Sequence, residues 1–248
     1  FGAGTPLTEE HLVAFQDRLQ KTRLFQSVQV RYDPELTDTA RTPVLVQLVE
    51  LPLQQATVGV GVSANTGPRT TLEHTHRRPF GWPAVAYNKV EWGHATQSWT
   101  ADLQSHPGRN FYRNRLGVQI ERVVGDTDVV LSQRLRLGRT QDTPRIERLY
   151  FLELLRSRQD DLPATGQGPT TAMALSGNLH WVWRDLDSVV LPTRGLTVAL
   201  QTGAGQAGQV GGQQGGFGRF YGRVTGYLPL GQRWYGQARL EAGQIVRR

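Results

Sequence analysis

Between Met173 and Arg184 the chain alternates. Met173, Leu175, Leu179, Trp181 and Trp183 fall on one side of an extended backbone, and Ala174, Ser176, Asn178, His180 and Arg184 on the other. A period of two marks a β-strand with two unlike faces. The pattern recurs. Leu116, Val118 and Ile120 oppose Arg115, Gln119 and Glu121; Leu131, Leu135 and Leu137 oppose Ser132, Arg134 and Arg136; Phe220, Val224 and Leu228 oppose Arg219, Tyr221 and Arg223. In Gln55–Ala64, Val58, Val60 and Val62 share a side, with Gly59, Gly61 and Ser63 behind them. Further strands are predicted near Arg69–Arg78, Ala84–Gly93, Gln97–Ser105, Asn110–Val123, Val129–Thr140, Ile146–Arg156, Thr170–Trp183, Gly195–Gly203, Phe217–Leu228 and Arg233–Ile245. That makes about eleven strands, many of about ten residues or more, long enough for a tilted membrane crossing.

The first fifty residues follow another rule. Thr8 is placed to cap a helix with Glu9 and Glu10 in its first turn, where the helix dipole favours negative charge. Leu12, Phe15 and Leu19 then recur at helical spacing, and the helix should stop near Thr22. Alternating strands follow at Leu24–Asp33 (Val28, Val30 and Tyr32 on one face) and Pro43–Leu51. The reading is a small α+β unit over residues 1–52 and a β region over 53–248.

A soluble sandwich and a membrane barrel both alternate. In the first the apolar face meets a second sheet; in the second it meets lipid. Three features favour the barrel: strand length, loops that alternate short (Ser105–Asn110, Pro229–Arg233) with long (Gln159–Thr171, Gly205–Gly216), and Trp181, Trp183, Tyr227 and Trp234 beside the short links, where an interfacial aromatic girdle would sit. Asn65–Pro68 reads as one turn. In "RDLDSVVLPTRG", Asp185 and Asp187 lead into a second turn at Pro192, Thr193, Arg194 and Gly195. Pro presets one backbone angle there and Gly permits a positive one.

Composition narrows the classes. No apolar run is long enough for a transmembrane helix, and mean hydropathy is −0.43. Cysteine is absent, which excludes disulfides and thiolate metal sites. The net charge of +7 is carried almost wholly by Arg, with Lys only at 21 and 89. The arginines are spread over many strands and do not mass in a patch with aromatics, so a wet, positive lumen or contact with anionic lipid is expected and no nucleic acid. A soluble basic protein binding an anionic surface remains the competing class. Gly203–Gly208 matches G-x-G-x-x-G but opens no helix, and reads as a flexible loop. His74 and His76 share a strand face without a third ligand. Asp126 with Asp128, and Asp160 with Asp161, read as turn residues. No nucleophile elbow or defensible catalytic arrangement occurs, so no cofactor, metal site or enzymatic activity is expected.

Three segments carry a family resemblance. Thr8–Val30 resembles the second helix and following strand of a POTRA domain. Val58–Arg77 resembles the first barrel hairpin of TamA-like outer-membrane proteins. Arg184–Leu200 resembles the mid-barrel turn of the BamA/TamA superfamily. The resemblance implies a sixteen-stranded antiparallel barrel in the bacterial outer membrane, a periplasmic POTRA domain before it, and the later half of one POTRA domain plus eleven strands in this chain. The family's Arg-Gly-Tyr/Phe loop and last strand would then lie beyond Arg248. It further implies insertion or translocation of other β-barrel or autotransporter proteins, a periplasm-spanning partner anchored in the inner membrane, and a first strand (Val58, Gly59, Val60, Gly61, Val62) that forms an openable seam with the last. Two-partner-secretion transporters, which export a protein substrate, are a sister branch, and a passive channel is a third reading. Gly59 and Gly61 fit a loosened seam, and equally fit a need to make room for a neighbouring lumenal group.

Overall fold

A computed structural model describes residues 6–32, 42–64, 67–161, 168–188, 191–231 and 234–247. Helix α1 (Glu9–Gln20) is capped as its sequence predicts: the Thr8 hydroxyl accepts a hydrogen bond from the His11 amide at 3.2 Å, and Leu12 is buried. It ends at Gln20 with Lys21 as cap, near the expected stop at Thr22. Strands β1 (Phe25–Tyr32) and β2 (Val44–Glu50) form a two-stranded antiparallel sheet with Val28 buried.

From Gln54 onward the described chain is one antiparallel sheet of eleven strands in strict sequence order. They are β3 (Gln54–Ser63), β4 (Gly67–His76), β5 (Ala84–Gly93), β6 (Thr96–Ser105), β7 (Tyr112–Val124), β8 (Asp128–Asp142), β9 (Ile146–Asp161), β10 (Thr170–Leu186), β11 (Gly195–Gln209), β12 (Gln214–Leu230) and β13 (Trp234–Arg247). The α1–β1–β2 unit adjoins one end of this sheet, the near end below. The Arg77 guanidinium, buried there, donates to the Arg23 and Pro52 carbonyls (3.2 and 2.6 Å) and to Gln55 Oε1, while Lys21 donates to the Asp142 carbonyl at 2.8 Å.

Register shows what the sheet is for. Cross-strand partners share a face, so Val58, Leu72, Val90, Trp99 and Ile120 form one continuous row, and Leu116, Leu137 and Leu152 another. These rows are exposed: Leu72 is 47% accessible, Leu137 59% and Leu152 58%. No second sheet or helix layer covers them among the described residues. The opposite, polar face is the more enclosed one. Ser176, Asn178, Thr225 and Ala199 are buried on it, Ala199 at 2%. With no second layer present, burial on the polar face requires the sheet to curl around that face. A soluble sandwich would bury the opposite one. Exposed apolar rows of this extent need a non-aqueous neighbour, and an antiparallel sheet curled with its oily side outward is built for lipid.

Several local readings are corrected. The G-x-G-x-x-G segment Gly203–Gly208 is not a loop but part of β11, paired residue by residue with β10 and β12. The supposed long link Gly205–Gly216 is two strand ends joined by a tight turn at Val210–Gln213. Asp128, Asp160 and Asp161 lie in strands; Asp128 accepts from Gln159 at 2.9 Å and Asp160 pairs with Arg158 at 3.0 Å. In each case ladder hydrogen bonds hold the backbone extended where glycine, glutamine and aspartate argue against a strand. Asn65, Thr66, Val189, Val190, Arg233 and residues 162–167 of the Gln159–Thr171 link lie outside the described residues.

Candidate functional site

Three features of the sheet bear on function: its first edge, its polar lining and its near-end turns. The edge is β3, joined to β4 on one side with unbroken register and unpaired on the other among the described residues. Val58, Val60 and Val62 stand on the outward face and Gly59 and Gly61 on the inward one. A Cβ at Gly59 would lie 2.6 Å from the Thr71 hydroxyl, and Arg69 lies over Gly61, so these glycines admit lumenal side chains from β4. No residue of Gln54–Ser63 is charged, none is Pro, and no bulge interrupts it. Natural sheet edges normally carry one of those devices to prevent strand addition. The last strand among the described residues, β13, carries Arg239, Glu241 and Arg247.

The polar lining is a lattice of ion pairs, most of them cross-strand. Arg115 meets Asp102 at 2.5 Å, Arg184 meets Glu147 at 2.5 Å, and Lys89 meets Glu73 and Glu91 at 3.8 and 3.9 Å. Glu153 is shared by Arg134 at 3.6 Å and Arg136, whose guanidinium also lies 5.0 Å from the Phe151 ring centre. Arg219 donates to Asn178 at 2.7 Å. A pocket of about 130 Å³ opens among Asp102, Arg115, Arg134, Arg136 and Phe151. Basic groups outnumber acidic ones there, so the surface is positive and hydrated. His74 and His76 lie on the outward face, ring centres 6.3 Å apart, with His76 accepting from the Arg78 amide.

The turn between β10 and β11 is organised by Asp187. Its carboxylate accepts from the amides of Ser188 (2.9 Å), Thr193 (3.0 Å) and Arg194 (3.1 Å) and from the Thr193 hydroxyl. The Thr193 hydroxyl first, then these amides, hold the carboxyl down to about 2. Gly195 closes the turn at φ +126, opposite Leu186. Pro192 lies within the turn. Asp185 sits in β10 on the outward face opposite Leu196 and makes no part of the carboxylate cage.

Of the four girdle aromatics, Trp181 and Trp183 in β10 and Trp234 in β13 lie on the outward face toward the near end. Tyr227 does not. It pairs with Gly195 and shares parity with Arg219, Tyr221 and Arg223, so it faces inward. Sequence reasoning missed Phe80 and Trp82 in the near-end link after β4, and Trp92 and Trp99 at the far end, all exposed. The parity of Trp92 and Trp99 with Val90 and Ala101 was the available signal.

With oily rows outward and a charged lining inward, the fold matches one family. A family model, the Omp85 superfamily domain, matches residues 56–247, which is the eleven-stranded sheet almost end to end. The chain belongs to the Omp85 superfamily. No curated protein sequence matches it. Among solved structures this Omp85 chain is similar to the crystal structure of BamA from Haemophilus ducreyi lacking POTRA domains 1-3, with a TM-score of 0.55 and 11% identity over 96% of this chain and 50% of that one. The likeness at that identity is one of fold, and the chain spans about half the length of the BamA chain it matches. Membership makes the sheet an outer-membrane β-barrel sheet, and its uncovered leucine and valine rows the lipid-facing surface.

Proposed function

We propose that this Omp85 chain belongs to an outer-membrane assembly factor that helps insert or translocate other barrel or autotransporter proteins through the β3 edge, and that it has no catalytic chemistry. The observation that carries the proposal is the unguarded edge itself. In lipid an unpaired backbone edge is costly, because hydrocarbon offers no hydrogen-bond partners. A strand that lacks charge, Pro and bulge is therefore suited to pairing with another strand, by β-augmentation of a client or by a reversible seam. The α1–β1–β2 unit supports a periplasmic, POTRA-like docking role, since Arg77 and Lys21 fix it to the near end. A periplasm-spanning partner anchored in the inner membrane would engage that unit, and TamA-like proteins are the branch it fits. A photo-crosslinker at Val60 should trap client or terminal-strand contacts in the full-length protein, while one at Leu175, mid-sheet on the same face, should trap lipid only. Identical products at both positions would refute the edge role.

A second reading, a two-partner-secretion pore that exports a protein substrate, is favoured by the arginine excess on the lining. It requires large, steady conductance in planar bilayers that changes when Arg134 or Arg223 is replaced. Near-zero or flickering conductance excludes it in favour of the assembly role.

A further inference from the structure

The outward face holds one cluster that neither the lipid rows nor the β3 edge explains. Tyr112, Arg139, Arg148, Tyr150 and Trp181 lie on neighbouring strands β7 to β10, none more than five residues from its strand's near end. Register places them on one face: Arg148 is opposite Trp181, and Arg139 opposite Tyr150. Arg148 donates to the Tyr112 hydroxyl at 3.2 Å, the Tyr112 and Tyr150 hydroxyls are 3.2 Å apart, and the Arg139 guanidinium lies 4.3 Å from the Tyr112 ring centre.

These two arginines differ from four that line the inward face. Arg115, Arg134, Arg136 and Arg184 each meet a carboxylate. Among the described residues no carboxylate lies within ion-pair distance of Arg139 or Arg148. The acids adjacent in sequence, Asp142 and Glu147, point to the opposite face, where Lys21 and Arg184 hold them. Two guanidinium groups are thus gathered by tyrosines on a lipid-facing surface without a protein counter-charge. Further from the near end, on the same face of β7, β8 and β9, stand Leu116, Leu137 and Leu152, exposed and mutually paired. The order across these strands is cation or aromatic first, then hydrocarbon. That is the order of a lipid molecule read from headgroup to acyl chain. Arginine binds phosphate through a fork of donors, and aromatic side chains favour the headgroup level.

We propose that Arg139 and Arg148, held by Tyr112 and Tyr150, bind the phosphate of an anionic glycerophospholipid whose acyl chains lie along Leu116, Leu137 and Leu152. This rests on the lipid-facing assignment of the outward rows and is independent of the β3 edge. The test is native mass spectrometry of the refolded full-length protein released from equimolar mixed micelles of phosphatidylcholine and phosphatidylglycerol. The wild type should retain phosphatidylglycerol preferentially, and R139Q/R148Q should lose that preference by about tenfold, the scale of two charge-assisted donors. R122Q/R156Q, which alters outward arginines outside the cluster, should keep it. Unchanged selectivity in R139Q/R148Q overturns the site. Loss of phosphatidylglycerol on adding millimolar inorganic phosphate, with no dependence on acyl length, also overturns it, since that marks a free-anion site. Failure to retain either lipid in any variant would instead count against the lipid-facing assignment. Single R139Q and R148Q variants, checked by heat-modifiable gel mobility, replace the double variant if it does not refold.

Discussion

Replacing Gly195 with Ala tests whether the β10–β11 turn is as sterically closed as its geometry indicates. A Cβ there would stand 2.0 Å from the Asp185 carbonyl oxygen and 2.9 Å from Leu186 Cα, both backbone atoms. Ordinary contact begins near 3.4 Å, so the strands must part by roughly 1.4 Å or the turn must rebuild, with loss of one or two ladder hydrogen bonds at about 1 kcal/mol each. The residue is also held at φ +126, where a side chain adds about 1–3 kcal/mol of strain. Together these predict about 2–5 kcal/mol of destabilisation. Two other glycines separate the causes. Gly231 has φ +82 with nothing within 4 Å, so G231A should cost about 1–2 kcal/mol from conformation alone. Gly218 has no neighbour within 4 Å and no positive φ, so G218A should stay within about 0.5 kcal/mol of wild type. Equilibrium urea unfolding of the protein refolded into lipid vesicles, followed by tryptophan fluorescence, gives the order. If G195A unfolds at the same midpoint as G218A, the turn is not sterically closed and the reasoning fails.

Asp187 predicts a pH dependence. Its folded carboxyl is held at about 2 against an ordinary value of 3.8, so the unfolded chain takes up the proton first and stability falls as the medium is acidified. The contribution is complete above the ordinary carboxylate range and disappears as pH drops through about 2; the wild-type urea midpoint should fall across that window more steeply than that of D187N. Arg77 ties the α1–β1–β2 unit to β3 and β4 through three hydrogen bonds from a buried guanidinium. R77A should cost about 2–4 kcal/mol at that junction and speed protease cleavage around Leu51–Leu53, with the sheet's heat-modifiable mobility retained. A cleavage rate equal to wild type would show that the junction is held by other contacts.

The mid-portions of the strands were legible because lipid enforces the period. Leu116, Leu137 and Leu152 had to alternate with Arg115, Arg136 and Glu153 for the sheet to part oil from water. Beyond the apolar band both faces are wet, so Gln206–Gln209, Gln214–Gly216, Asp160 and Asp161 carry no hydropathy period although their backbones are fully paired. Tyr227 was misplaced for a related reason. Its residue type suits an interface, but its odd spacing from Val224 puts it among the lumenal arginines. The turn at Asp187 was legible from Pro192 and Gly195, because local chemistry builds it. The partners of Glu153, and the gathering of Arg139 and Arg148, depend on the residue-by-residue register between neighbouring strands, which hydropathy alone does not supply.

The strict sequential order of the sheet also governs how such a molecule is built. Among the described residues each strand of the large sheet bonds only to strands next to it in sequence, so growth can proceed hairpin by hairpin, without threading or long-range search. At each stage the newest strand has half its amides and carbonyls unclaimed inside the bilayer, a debt settled only when the next one arrives. A protein proposed to shelter unfinished barrels would, if built in that order, pass through the same vulnerable stages during its own birth.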